Sequence, residues 1–164
     1  MVFDTESEKK ELEKETSSQP MSMRLKSRFY NKIKNKPDLI FLNFAKSGHV
    51  FGCYCRKECN RQDFWMEDRD HRLFSFNYKN EGSKSRQLEV FKWKQNCQSF
   101  KSFYYKSSGD YLYANMGIVV QSVYDKPYSQ IHQWLNNSYD CSPTAFVGHN
   151  NLFETMRTIV IQLM

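Results

Sequence analysis

From Pro37 to the C-terminus the chain is built of short apolar runs broken by polar or glycine-containing turns. The clearest are Leu39-Ile40-Phe41-Leu42, His49-Val50-Phe51-Gly52-Cys53-Tyr54-Cys55 and Leu73-Phe74-Ser75-Phe76-Asn77-Tyr78, with Lys46-Ser47-Gly48 and Asn80-Glu81-Gly82 as turns. Runs this short cannot sustain the 3.6-residue period of a long helix, but they suit strands. Further strands are predicted around Leu88 to Trp93, Gln98 to Tyr105, Tyr111 to Tyr113, Gly117 to Val123 and Thr158 to Leu163. The 13 Phe, 10 Tyr and 3 Trp point the same way, since flat rings fit a pleated, half-buried surface. About eight strands after one early helix predict a mainly β fold, a two-sheet antiparallel β-sandwich with a flanking helix. Leu42, Val50, Phe74, Phe76, Val119 and Val160 are expected in its core.

A chain of 164 residues has room for one such domain. No apolar run approaches the about 20 residues of a membrane span. The start Met1-Val2-Phe3-Asp4-Thr5-Glu6 lacks the basic and apolar stretches of a secretory signal. An intracellular, cytoplasmic and reducing location is the expectation.

The net charge of +6 is unevenly spread. Residues 1–20 hold Asp4, Glu6, Glu8, Glu11, Glu13 and Glu15 with few large apolar residues, which predicts a disordered acidic tail. Residues 21–36 carry Arg24, Lys26, Arg28, Lys32, Lys34 and Lys36 without an acid. There Leu25, Phe29, Tyr30 and Ile33 form one stripe of an amphipathic helix, with Ser22 as N-cap and Pro37 setting the end. The six cations are the candidate contacts for nucleic acid or an anionic membrane surface. The plainer reading, an apolar stripe packed on a sheet under solvated lysines, is preferred. Residues 37–164 are then the sandwich, within which the Asn- and Ser-rich stretch from Lys126 to Asn151 reads as a long loop packed by Tyr128, Trp134, Tyr139 and Phe146.

Chemistry-bearing residues give no catalytic constellation. His49, Cys53, Cys55 and Cys59 have the ligand types of a zinc site. Cys53 and Cys55, however, are one residue apart on a strand, and no second pair with C-x₂₋₄-C spacing follows. Buried or edge thiols are therefore expected, with no metal shared by Cys53, Cys55 and Cys59 and no cofactor. Asp68, Asp70 and His71, near Trp65, read as solvated loop residues. Neither a nucleophile elbow nor a glycine-rich phosphate loop is present.

The stretch Lys46-Ser47-Gly48-His49-Val50-Phe51-Gly52-Cys53-Tyr54, followed by Leu73-Phe74-Ser75-Phe76-Asn77, resembles the TLDc domain of oxidation-resistance and nuclear-receptor-coactivator proteins. Tyr113 to Val120, Ser138-Tyr139, Phe146-Val147-Gly148 and Phe153 continue the order of that family's motifs, so residues 21–164 are identified as one TLDc-like domain. Cys53 stands where the family has a second hairpin glycine, and the family's leucine-rich opening strand has no counterpart before Met21. The motif residues Gly48, Phe51, Gly52, Tyr54, Leu73, Phe74, Phe76, Gly148 and Phe153 have structural roles. Gly48 suits the positive φ of a tight hairpin, and Gly52 leaves space for a ring or a backbone crossing. Phe51, Phe74 and Phe76 are expected on a common core.

The resemblance implies a protein-binding module without enzymatic chemistry, linked to oxidative-stress protection or to a vacuolar-type proton-pumping ATPase. A basic module binding a polyanion through residues 21–36 is the alternative, and a cysteine-based redox or zinc protein the third reading. Without an opening strand, the sandwich is expected to expose an edge or apolar patch that binds its partner by strand addition or promotes association.

Overall fold

The computed structural model describes residues 1–78, 85–105, 111–115, 117–121, 128–132, 135–141, 144–147 and 152–164. Among them the chain begins β1 (Val2–Asp4), α1 (Thr5–Glu13), α2 (Met21–Ile33), β2 (Leu39–Ala45), β3 (Val50–Cys55), β4 (Met66–Glu67), β5 (Arg72–Tyr78) and β6 (Arg86–Phe91). It continues β7 (Lys101–Tyr104), β8 (Tyr111–Asn115), β9 (Ile118–Gln121), β10 (Ser129–Ile131), α3 (Leu135–Ser138), α4 (Thr144–Val147), β11 (Leu152–Phe153) and β12 (Thr155–Gln162). Two antiparallel sheets result, ordered β1-β12-β2-β3-β5-β6 and β11-β10-β9-β8-β7-β4. They form the two-sheet sandwich with flanking helices.

The β2–β3 hairpin turns at Gly48, whose φ of +88° is the left-handed region that glycine enters without strain. Ala45 N–H donates to His49 O at 2.9 Å and closes the turn. Between the sheets, the Phe41 ring lies 4.7 Å from Phe103 and 5.1 Å from Tyr113, and Phe51 meets Phe153 edge-on at 5.0 Å. Of the predicted stripe, Leu25, Phe29 and Ile33 are buried, and Tyr30 is half-buried against the core. Phe29 stacks on Tyr113 at 5.9 Å and meets Phe3 edge-on at 5.3 Å, so α2 packs beside β1 into the sandwich core. The Asn43 amide of β2 joins the Tyr113 hydroxyl of β8 at 2.6 Å, and Thr158 of β12 donates to Asn43 Oδ1 at 3.0 Å.

Residues 1–20 are not a disordered tail. Val2, Phe3 and Asp4 pair with Ile161, Val160 and Ile159, which puts an edge strand beside β12 where an exposed edge was expected. The segment's helix α1 is anchored at three points. Leu12 is buried. Asp4 caps the first turn by accepting from Glu6 N–H at 3.1 Å and from the Ser7 hydroxyl at 2.9 Å. Glu8 and Glu15 meet the cations of α2, Glu8 accepting from Arg28 at 2.8 Å and Glu15 from Arg24 at 3.1 Å.

The second helix also departs from its expected bounds. It ends at Ile33, before Lys36, because Lys34 leaves helical geometry and Asn35 takes φ +56°, the left-handed conformation that asparagine tolerates just past a helix. Ser22 is not the N-cap. Pro20 holds that position, and Ser22 lies buried in the first turn.

Strand faces differ from expectation at four of the six core positions. Phe74 and Val160 are buried, whereas Leu42, Val50, Phe76 and Val119 are only half-buried. In β2 the buried set is Leu39, Phe41, Asn43 and Ala45, one residue out of phase with Leu42, and a one-residue shift changes the face of every side chain. For the same reason Phe51 does not share a face with Phe74 and Phe76. Phe51 pairs with Ser75 and points inward, while Gly52 pairs with Phe74.

The Lys126 to Asn151 stretch is more structured than a loop, containing β10, α3 and α4. Tyr139 and Phe146 are buried in it as expected, and Tyr128 is exposed. Trp134 lies outside the described residues, as do the Asn80-Glu81-Gly82 turn and Gly148.

Asp4 joins three elements, because Arg157 donates to both its oxygens, at 2.9 and 2.6 Å. That guanidinium bond, against a smaller opposing effect of burial, holds the Asp4 carboxyl below its ordinary range. Asp4→Ala removes the cap and the pair together, and should lower stability by about 1–2 kcal/mol at neutral pH. A carboxyl with a depressed folded pKa stabilises above its unfolded value near about 3.9 and loses this as pH falls through the folded value. Urea midpoints of the two proteins should therefore differ at pH 7 and converge as the pH is brought below about 4.

Candidate functional site: a buried thiol and imidazole cluster

The period of two along a strand puts Cys53 and Cys55 on one face of β3, and that face is the inner one. Both thiols are fully buried and their sulfurs are 3.9 Å apart. Cys53 pairs with Leu73 across the β3–β5 ladder. Continued by two residues, that register sets His71 opposite Cys55, on the same inward face. One ligand atom each from Cys53, Cys55 and His71 lies within 4.8 Å of the others.

His71 is held by a rigid aromatic frame. Its Nδ1 bonds the Tyr139 hydroxyl at 2.5 Å, Tyr139 stacks on Trp93 at 4.2 Å, and the Trp93 indole donates to Asp68 O at 3.0 Å. The second ring nitrogen, Nε2, is buried without a hydrogen-bond partner. On the opposite sheet, Asn115 Oδ1 accepts from the Cys53 thiol at 3.3 Å, and its Nδ2 is likewise buried without a partner.

Burial works against ionising Cys53, but its neighbours Cys55, His71 and Asn115 outweigh it and lower the thiol to about 6. Cys55 goes the other way, raised by burial and by its neighbour Cys53. Cys59 is also buried, and burial pushes its thiol up. With every group inside the core, this cluster cannot present a nucleophile to an external substrate. It has the donor types and spacing to hold a small ion.

The sequence expectation weighed the wrong histidine. His49 lies on the β2–β3 turn, bonded to the Ser47 hydroxyl at 2.9 Å, while His71 enters the cluster. Of the Asp68, Asp70 and His71 segment, Asp68 and His71 are buried rather than solvated, whereas Asp70 stays half exposed. Asp68 turns the chain by accepting from the backbone N–H groups of Arg56, Lys57 and Asp70 at 2.7, 3.2 and 3.0 Å. The usable signal was the match of Cys-x-Cys with a histidine at the head of the next paired strand.

The family-motif residues fall in two groups. Phe51, Leu73 and Phe153 are in the core, and Tyr54 donates to Asp38 at 2.5 Å. Gly52 lies under the Phe74 ring, and Phe74 and Phe76 meet edge-on at 5.9 Å on the outer face of the first sheet. Half-buried Leu42, Ile40, Ile159 and Ile161 extend that face. It ends at β6, where Leu88 and Val90 are exposed.

Of the basic residues on 21–36, Arg24 and Arg28 are engaged by Glu15 and Glu8. Lys34 Nζ lies 5.4 Å from the Tyr30 ring centre. Lys32 is exposed, and Lys26 and Lys36 are partly so. Among the described residues, no helix is long and apolar enough to cross a membrane. No family model matches the sequence, and no curated protein matches it.

Proposed function

We propose that this chain is a non-enzymatic protein-binding module of the TLDc kind, and that it binds through the outer face of its first sheet where β5 meets β6. The observation that carries this reading is the pair Leu88 and Val90, 53% and 51% exposed, continuous with Phe74 and Phe76. Among the described residues no strand pairs with the outer edge of β6, so main-chain bonds and an apolar surface are offered together. The order of motifs along residues 21–164 and the two-sheet architecture support the family reading, and with it a vacuolar-type ATPase subunit as partner and a role in oxidative-stress protection in the cytoplasm. The polyanion alternative has less support, because the chain's own acids engage Arg24 and Arg28.

The test is capture of purified vacuolar-type ATPase subunits by the full chain, compared with Leu88→Asp/Val90→Asp. Both side chains are on the surface, so the double variant should fold normally and lose at least about tenfold in affinity, the effect of about 1.4 kcal/mol. Undiminished capture by the folded variant, or no capture by the unaltered chain, defeats the reading.

A further inference from the structure

We propose that Cys53, Cys55 and His71 bind one zinc ion between the sheets, a structural centre joining β3 and the head of β5 to Asn115 of β8. Two sulfurs bound tetrahedrally at about 2.3 Å from one zinc stand about 3.8 Å apart, and those of Cys53 and Cys55 are 3.9 Å apart. The strand itself sets this spacing. A tight C-x₂₋₄-C turn is not needed when the third ligand arrives from the neighbouring strand.

The imidazole supplies the independent observation. A buried nitrogen without a hydrogen bond is costly, yet His71 Nε2 is in that condition, and His71 offers one ring nitrogen to the group of ligand atoms within 4.8 Å of one another. Metal-bound histidines characteristically bond a fixed partner through the other nitrogen, and Tyr139 is that partner at Nδ1. Asn115 Oδ1, beside Cys53, stands ready as the fourth donor once the thiol proton it now accepts is gone.

The charges balance. Binding releases the thiol protons to solvent, and two thiolates neutralise the divalent ion, so the filled centre adds no net charge to the interior. Sulfur donors favour zinc over magnesium or calcium, which take oxygen. Such a centre would add metal-binding free energy to folding, independently of whether the outer face binds a partner.

The full chain, produced with zinc and purified under reducing conditions, is assayed for metal by mass spectrometry. It is also refolded with cobalt(II), whose thiolate charge-transfer and tetrahedral ligand-field bands report the ligands. About one zinc per chain and both sets of bands are expected. Cys53→Ser and Cys55→Ser should lose them, whereas the double variant Cys97→Ser/Cys141→Ser should keep them. Tyr139→Phe, which leaves all ligands in place, should weaken zinc binding by about 10–100-fold. A folded chain without zinc or cobalt bands, melting alike with and without added zinc, overturns the proposal. So does metal lost on changing Cys97 and Cys141 but retained on changing Cys53. If the Cys53 and Cys55 variants fail to fold, the metal content of the unaltered chain and the Tyr139→Phe affinity decide.

Discussion

Gly52→Ala is expected to abolish folding. A Cβ at this position would overlap the Phe41 carbonyl oxygen and lie 2.8 Å from its carbon and 2.9 Å from the Phe74 ring. The first two atoms are backbone, fixed by the β2–β3 ladder, so the clash cannot be relieved by turning a side chain. Losses above about 4–5 kcal/mol come from this kind of overlap, and a domain of this size has only about 5–15 kcal/mol of stability. Circular dichroism and thermal melts should show little or no cooperative transition. Gly48→Ala is the informative contrast, because nothing lies within 4 Å of its added Cβ and only the positive φ resists it. It should remain folded and lose about 1–2 kcal/mol. Equal behaviour of the two variants would contradict the pairing of β2 with β3 described above.

Phe3→Ala should cost about 3–5 kcal/mol, as for other fully buried aromatic rings. Phe3 has 0% exposure and stands edge-on to Phe29 at 5.3 Å, so its loss leaves a cavity between α2 and the first sheet. The urea midpoint should fall accordingly, and hydrogen exchange should quicken along β12, whose outer edge β1 covers. If residues 1–20 were a dispensable tail, neither would change.

That contrast shows what could be read in the sequence. The helical stripe Leu25, Phe29 and Ile33 was legible because most of the other positions of that helix are polar, so period and face were both marked. Strand identity was legible in β2, β3 and β5, but the buried face was not. Leu39-Ile40-Phe41-Leu42 is apolar on both sides, so no alternation tells inward Phe41 from outward Leu42. The N-terminal segment misled because its few apolar residues, Phe3 and Leu12, are spaced among acids, of which Glu8 and Glu15 find partners only once α2 is in place. Likewise β10, α3 and α4 are too short to carry a period, and their order comes from Ile131, Leu135, Tyr139 and Phe146 meeting the core. In the cluster, the spacing of Cys53 and Cys55 was visible, but His71 joins them only through the β3–β5 register.

A strand that is apolar on both faces raises a question of alignment. Were β2 to slide one residue against β3 and β12, Leu42 or Phe44 would enter the core in place of Phe41, at little hydrophobic cost. Asn43 is the residue that tells the two arrangements apart. Turned outward, it would abandon the Tyr113 hydroxyl and deprive Thr158 of its acceptor, leaving buried polar groups unpaired at about 1–3 kcal/mol each. One amide thus acts as an address label within the hydrophobic interior, assigning each strand of the first sheet its place against the second.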